Sequence, residues 1–370
     1  MKEGWEYKTF EECIVKVPRQ KQIKSKDYLS SGIYPVVSQE QDLISGYYND
    51  ESYVYKHAKP IVVFGDHTKN IKYIDFDFVI GADGTQILMT IEDIETKFFY
   101  YAIKSIKLDN LGYARHYKLL KKNIIGFPSK DQQRRIVSYL DSSFKLIDEI
   151  KNKALKSLTE AKALFQSALA EAMEPKEGWE EKTLGEVSEN IKNINWKNES
   201  SAYKYIDLSS VDRDKSIILN TVIVNKTNAP SRAKQLVNKN DIIFATTRPL
   251  LRRVTLIEKE YDKSICSTGF CVIRPNSNII VPKYVFYVFK DEPFYQYIEP
   301  LQNGASYPAV TDKAVKSYTF SFPKNVEVQK RIVSHLDSLS SKVRAIEEKY
   351  QRIVAECDAM KQAMLREVFE

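Results

Sequence analysis

The chain has 370 residues, 43% of them hydrophobic and 28% charged, with a formal net charge of +7. That is ordinary for a globular protein and long enough for two or three cores. Twelve glycines and 13 prolines argue against low-complexity structure and four cysteines against a disulfide framework, while no apolar run approaches a membrane span of ~20 residues.

The first segment, KEGWEYKTF (Lys2–Phe10), lacks the apolar core of a secretory signal, so a cytoplasmic location is expected. A basic run follows, RQKQIKSK, carrying Arg19, Lys21 and Lys24 without an acid. Tyr47, Tyr48, Tyr53 and Tyr55 fit a half-exposed sheet. PIVVF (Pro60–Phe64), FDFVIG (Phe76–Gly81) and TQILM (Thr85–Met89) are predicted strands, rich in β-branched and aromatic residues. Between them FGDHTKN, with Lys69, and GADGTQ read as turns. Ile94–Ile106 is a short helical patch, and NLGYARHYK follows with Arg115, His116 and Tyr117. From Ser138 to Glu174 the chain has no Gly or Pro, which predicts a long helix stopped by Pro175.

The phrases then recur. KEGWEEKTL (Lys176–Leu184) repeats the opening, and KRIVSHLDS (Lys330–Ser338) repeats RRIVSYLDS (Arg134–Ser142). The openings lie 174 residues apart and the closings 196, so the second interior is 22 residues longer. A tandem duplication with a pseudo-twofold relation follows. Between Lys226 and Arg253 the basic residues, including Arg232, Lys234, Arg248, Arg252 and Arg253, face one acid, Asp241. DIIFA (Asp241–Ala245) and GFCVIR (Gly269–Arg274) are predicted strands, and PKYVFYVFK (Pro282–Lys290) is a helical patch. TTRPLLRRV (Thr246–Val254) leaves a strand end, a rigid base for reaching phosphates or guanine edges. QNGASYPAV offers Asn303, Ser306 and Tyr307 on an exposed turn, as the counterpart of NLGYARHYK. Cys266 and Cys271 read as buried thiols, and His57 and His67 as structural or surface residues. A second long helix runs from Ser334 to the end. Its apolar seam is Leu339, Val343, Ile346, Tyr350, Ile353, Cys357, Met360 and Met364, in heptad steps. Shifted by 196, the first helix offers Ile147, Ile150, Ala154, Ala161, Leu164, Ala168 and Ala172, with Ser143 and Ser157 as lapses. Mutual antiparallel packing of two unequal helices is expected, with packing of each on its own domain as the alternative.

No phosphate loop, dinucleotide turn, zinc-protease helix, nucleophile elbow or Pro-Pro-aromatic methyltransferase tetrapeptide occurs. The arrangement resembles the specificity (S) subunit of type I restriction–modification systems along the whole chain. The doubled KEGWE-x-KT and RIVS-x-LDS phrases carry the resemblance, with the lead-ins Pro128 to Gln133 and Pro323 to Gln329 and the run DIIFATTRP. It implies an α/β (α+β) chain with target-recognition domains at 1–127 and 175–323, alternating with helical spacers at 128–174 and 324–370. Each domain would read one half of a split, asymmetric double-stranded DNA sequence, without catalysis or cofactor in this chain. Two methyltransferase (M) subunits with S-adenosylmethionine, and restriction (R) subunits with ATP and Mg, would supply the chemistry. The candidate DNA-contacting residues are Arg19, Lys21, Lys24, Lys69, Arg115, His116, Tyr117, Arg232, Lys234, Arg248, Arg252, Arg253, Asn303, Ser306 and Tyr307. Helices of about 30 residues would span roughly 45 Å, against ~34–36 Å for one turn of B-DNA. A stand-alone metal-dependent nuclease, and an interaction or inhibitory protein without its own sequence readout, remain as alternatives.

Overall fold

The structure, a computed structural model, describes residues 2–370 apart from 19, 110, 111 and 113. By packing, the chain divides into one unit of Met1–Lys156 with Tyr350–Glu370 and another of Ser157–Lys349. The first unit carries, in chain order, β1 (Glu6–Thr9), β2 (Ile14–Val15), β3 (Tyr34–Val37), β4 (Gly46–Tyr48), β5 (Val54–Tyr55), β6 (Ile61–Gly65), β7 (Ile71–Ile74), β8 (Phe78–Ile80), β9 (Thr85–Thr90), α1 (Thr96–Ser105), α2 (Tyr117–Leu120), β10 (Ile124–Phe127) and the start of α3 (Lys130–Met173). The second carries β11 (Trp179–Thr183), β12 (Ser188–Glu189), β13 (Tyr203–Ile206), β14 (Val222–Val224), β15 (Ala233–Val237), β16 (Ile242–Ala245), β17 (Val254–Leu256), β18 (Ser264–Ser267), β19 (Phe270–Pro275), α4 (Pro282–Val288), α5 (Glu292–Ile298), α6 (Asp312–Lys316), β20 (Thr319–Pro323) and the start of α7 (Val326–Phe369).

The two strand orders coincide. The first unit's sheets are β1-β10, β2-β9-β6-β7 and β4-β3-β8-β5; the second's are β11-β20, β12-β19-β16-β17 and β14-β13-β18-β15. Each strand has its counterpart ten strands on. The parallel pairing repeats too, with Val36 beside Val79 in β3–β8 and Tyr205 beside Ile265 in β13–β18. The duplication legible at the ends therefore continues through interiors whose sequences conceal it.

The unbroken apolar runs have a physical cause. In β6, Val62 and Phe64 join Phe98 and Phe99 of α1 in one cluster, while Ile61 and Val63 join Val37, Phe78 and Ile80 of the neighbouring sheet in another. In β16, Ile242 and Phe244 meet Tyr284 and Val285 of α4, whereas Ile243 and Ala245 meet Cys266 and Phe270. A strand covered on both faces loses its polar alternation. Cys266 and Cys271 are buried and unpaired on β18 and β19, and burial pushes both thiols up.

Each long helix is fastened at its start by the same side chains. Gln133, fully buried, accepts the Glu95 N–H at 2.9 Å and donates to the carbonyls of Asp93 and Pro128 at 2.9 and 2.8 Å. Gln329 likewise accepts the Val281 N–H at 2.8 Å and donates to Ile279 and Pro323 at 3.1 and 2.7 Å. Further along, Asp141 accepts the Tyr101 hydroxyl at 2.6 Å and pairs with Lys97 at 2.8 Å. Asp337 does the same with Tyr287 at 2.6 Å and Lys283 at 2.9 Å. Burial and the adjacent carboxylate push both tyrosine hydroxyls far up, so they remain donors. The glutamine just before the repeated RIVS-x-LDS phrase and the aspartate within it are this fastening, and the phrase's Leu140 and Leu336 are wholly buried.

The helices pack antiparallel. In the first unit Lys151 meets Asp358 at 2.7 Å and Asp148 meets Lys361 at 2.5 Å, so a step back along α3 is a step forward along α7. Leu140, Phe144 and Ile147 cluster there with Cys357 and Leu365. In the second unit Lys162 meets Glu347 at 3.3 Å, and Phe165, Leu169 and Met173 share a cluster with Val333 and Leu336. The expected seam is corrected at alternate positions. Ile147, Ala154 and Cys357 are buried, but Ile150, Leu164 and Met360 are 53%, 68% and 55% exposed. Lys151, Phe165 and Lys361 take their places, each less exposed. Four-then-three and three-then-four steps are equally heptads, and lysine stems can cover apolar surface while their ammonium groups reach Asp358 and Asp148. The helices also begin eight residues before the expected Ser138 and Ser334, at Lys130 and Val326. Each has 44 residues, about 66 Å at ~1.5 Å per residue. No described helix is long and apolar enough to cross a membrane.

Two outcomes follow from these contacts. Gln133→Leu keeps the bulk but strands three backbone groups, and should destabilise the first unit by on the order of 1–3 kcal/mol. Calorimetric or denaturant unfolding of the variant and of Gln329→Leu measures this. Lys290 donates to Ser216 Oγ, and burial above all brings its pKa down to about 8 from an ordinary 10.5. Between those values the unfolded chain binds more protons, so the second unit gains stability as pH rises. Lys290→Met should flatten that rise in unfolding curves taken from pH 8 to 10.

Candidate nucleic-acid interface

In the second unit, residues 246–253 connect β16 to β17 and are tied by main-chain bonds to the segment before α6. Val310 N–H donates to Thr246 O at 3.0 Å and Arg248 N–H to Pro308 O at 2.7 Å. Asn303 and Ala309 exchange two hydrogen bonds of 2.9 Å, closing a loop whose turn needs Gly304 at φ +97°. TTRPLLRRV and QNGASYPAV thus form one corner. Arg248 has φ 50°, rare for a non-glycine residue, just before the 3-10 turn Pro249–Leu251. Its guanidinium carbon stands 4.7 Å from the Tyr307 ring centroid, and one N–H lies 3.5 Å from Ser306 O. Arg248, Asn303, Ser306 and Tyr307 are all exposed.

The expected arginine cluster divides three ways. Arg252 makes a two-pronged pair with Glu292 at 3.0 and 2.8 Å and lies 4.2 Å over the Tyr295 ring. Its charge is compensated. Arg253 is half-buried, with Nη1 donating to Leu208 O at 3.3 Å and Nε buried without a hydrogen-bond partner among the described residues. It belongs to the wall. Arg232 and Lys234 are exposed, on and beside β15. Asp241 does not offset this positive surface, because it is buried and paired with Arg274 at 2.7 Å.

The first unit builds the same corner from other residues. Asp66, which follows β6 as Thr246 follows β16, accepts the His116 N–H on its carbonyl at 2.8 Å. Its Oδ1 accepts the Tyr117 N–H at 2.8 Å. Arg115 is exposed, with Nε 3.9 Å from Asp66 Oδ2. Lys69, half-buried at φ 62°, stands two residues before β7, as Arg252 at φ 56° stands two before β17. His116 is wholly buried, and the half-buried Tyr117 ring packs 5.9 Å from Phe10 and 6.0 Å from Phe64. His116 supports the corner from beneath, and the Tyr117 ring is packed between Phe10 and Phe64. Lys21 lies 5.0 Å over the Tyr53 ring, Lys24 is exposed, and Arg19 lies outside the described residues.

Sequence reasoning missed Asp66, Glu292 and Tyr295. Asp66 sits in the FGDHTKN turn and was visible only as turn chemistry. Glu292 lies 40 residues from Arg252, and no local pattern joins them.

The model of the family described as type I restriction modification DNA specificity domain matches residues 2–160 and 176–355. The HindI specificity subunit of Haemophilus influenzae is 28% identical over 167 residues, 45% of this chain and 36% of that protein, so the match spans about a third of that relative. The EcoR124I/EcoR124II specificity subunit of Escherichia coli is 22% identical over 353 residues, 90% of this chain and 85% of the relative. Among solved structures, a chain described under complex assembly and conformational transition of the type I R-M system shares the fold. Its TM-score is 0.69 at 17% identity, over 100% of this chain and 98% of that one. The HsdS subunit from Thermoanaerobacter tengcongensis is 35% identical over 47% of this chain and 44% of its own, with a TM-score of 0.42. With both halves matched, the chain belongs to the family of type I restriction–modification DNA specificity domains.

Proposed function

We propose that this chain is the specificity subunit of a type I restriction–modification complex that reads a two-part, asymmetric duplex sequence. Residues 1–127 and 175–323 are the two target-recognition domains, one for each half. The observation that carries this reading is one strand order used twice with unlike corners: Asp66 and Arg115 in the first unit, Arg248 and Tyr307 in the second. A symmetric dimer matches a palindrome. A duplicated chain with different corners suits two different half-sites.

The repeated exposed residues support a partner present twice. Arg135 and Arg331, Ser138 and Ser334, and Ser142 and Ser338 occupy equivalent positions on α3 and α7, and all are exposed. Their identity is not required by any core. Two copies of a methyltransferase (M) subunit account for a surface kept in duplicate, with restriction (R) subunits joining the assembly. In this reading the chain supplies recognition and no catalysis. Adenine methylation with S-adenosylmethionine, and cleavage with ATP and Mg, belong to the partner subunits. The long helices act as the spacer between half-sites.

Co-expression with the neighbouring methyltransferase, followed by mapping of methylated adenines, is expected to return a split asymmetric motif. Methylation without a motif would overturn the reading, as would divalent-metal-dependent cleavage by the isolated chain. Removing one heptad from both α3 and α7 preserves the seam while shortening each helix by about 10 Å. The tolerated gap between half-sites should change, and an unaltered gap would refute the spacer.

A further inference from the structure

In each unit, the loop leaving the doubly covered central strand is bonded to the segment preceding the last strand. The bonds are equivalent, Asp66 O to His116 N–H and Thr246 O to Val310 N–H. We infer that this shared corner is the base-reading element of each unit, with Arg248 held by Tyr307 addressing guanine in one half-site and Arg115 steadied by Asp66 serving the other. The inference rests on the DNA-reading function proposed above and assigns its specificity to particular residues.

Three observations single out Arg248. The first is elimination: Arg252 has its charge compensated by Glu292, whose two oxygens both accept from Nη2, and Arg253 is turned toward Leu208 O. Arg248 alone of the three presents an exposed guanidinium without a carboxylate partner among the described residues. The second is geometry. With its carbon 4.7 Å over the Tyr307 ring, the exposed guanidinium is held from one side and keeps N–H groups available, and such a fork matches O6 and N7 of guanine. The third is backbone cost. Arg248 and Arg252 both hold positive φ. Arg252 shares this with Lys69, two residues before the next strand, where the hairpin turn explains it. Arg248 has no such counterpart. The loop there is three residues longer, and the added 3-10 turn Pro249–Leu251 follows Arg248 directly. Holding a non-glycine residue in that region costs energy, and such positions cluster at functional sites.

Arg115 differs in an informative way. Its side chain is 78% exposed, and among the described residues its ion pair is with the buried Asp66, at 3.9 Å. Asp66 is itself fixed by the Tyr117 N–H. At 3.9 Å this is a loose ion pair, unlike the hydrogen-bonded Arg252–Glu292 pair, so the Arg115 guanidinium keeps its N–H edges for a base. The two halves therefore read with the same residue type under different restraint.

The test uses the full chain in complex with its methyltransferase subunits. Variants Arg248→Ala, Arg248→Lys, Tyr307→Ala and Arg115→Ala are compared with Arg252→Ala by methylome mapping and by binding to the parent's motif. Arg248→Ala is expected to weaken binding about 10- to 100-fold and to relax one position of one half-site. Arg248→Lys should relax the same position, because it keeps the charge and loses the fork. Arg115→Ala should relax a position in the other half, and Arg252→Ala should leave the motif intact. Replacing the addressed guanine by 7-deazaguanine should weaken the parent and not the Arg248→Ala variant. An unchanged motif, or weakening spread evenly over all sequences, overturns the assignment and makes Arg248 a phosphate clamp. Should Arg248→Ala fail to fold by thermal melting, Arg248→Lys decides on the same readout. A parent complex that shows no motif at all would instead defeat the underlying function, which separates the two failures.

Discussion

A buried glutamine amide at the first turn of each long helix is the constraint on which the rest depends. Gln133 and Gln329 each bond three backbone groups from the helix lead-in and the segment preceding α1 or α4. In a low-dielectric interior such a satisfied amide holds its partners to one arrangement, because any alternative leaves a buried group unpaired. That fixes where each helix enters. The Tyr101–Asp141 and Tyr287–Asp337 bonds then fix its rotation about its own axis. Rotation decides which residues form the seam. Lys151 and Lys361 lie in it, while the more apolar Ile150 and Met360 lie outside, because the helix ends have already been oriented by these bonds.

This explains what could be read from the sequence and what could not. The repeated phrases were legible because a fastening that works through specific side chains tolerates little change. Central strands β6 and β16 were legible because burial on both faces leaves only apolar choices. The identical strand orders were not. Short strands such as β2, β5 and β12 have two residues each, too few for any periodicity to register. The arginine cluster was read as a unit because sequence proximity implies spatial proximity. Yet successive residues in a tight turn point in different directions, and Arg252 and Arg253 found partners 40 and 45 residues away. The sequence matched QNGASYPAV with NLGYARHYK across the halves, but only the main-chain bonds join TTRPLLRRV to QNGASYPAV in one corner.

Charge illustrates the same limit. A net charge of +7 says little about partners, since it is the surface distribution that a phosphate backbone meets. Asp241 is counted among the acids but is buried against Arg274, and Arg252 is counted among the bases but is compensated by Glu292. The cations that contribute to the surface are those left with an exposed edge. In the second unit these include Arg232, Lys234 and Arg248.

The corner is held chiefly by the backbone, and this has a consequence for how unlike loops coexist with a constant frame. The bonds from Thr246 O to Val310 N–H and from Asp66 O to His116 N–H ask almost nothing of the side chains at those positions, except that none be proline at the donor. Threonine and aspartate, valine and histidine all make this bond, while Asp66 and Thr246 add side-chain bonds of their own, from Tyr117 N–H and to Gly269 O. Side chains above such a stitch can therefore change without loosening the strand beneath it. The frame is intolerant because its fastening is made by side chains. The corner is more tolerant because the bond common to both units is made by main chain. One fold can then carry two different surfaces at the same place, which is the property a reader of two unlike half-sites requires.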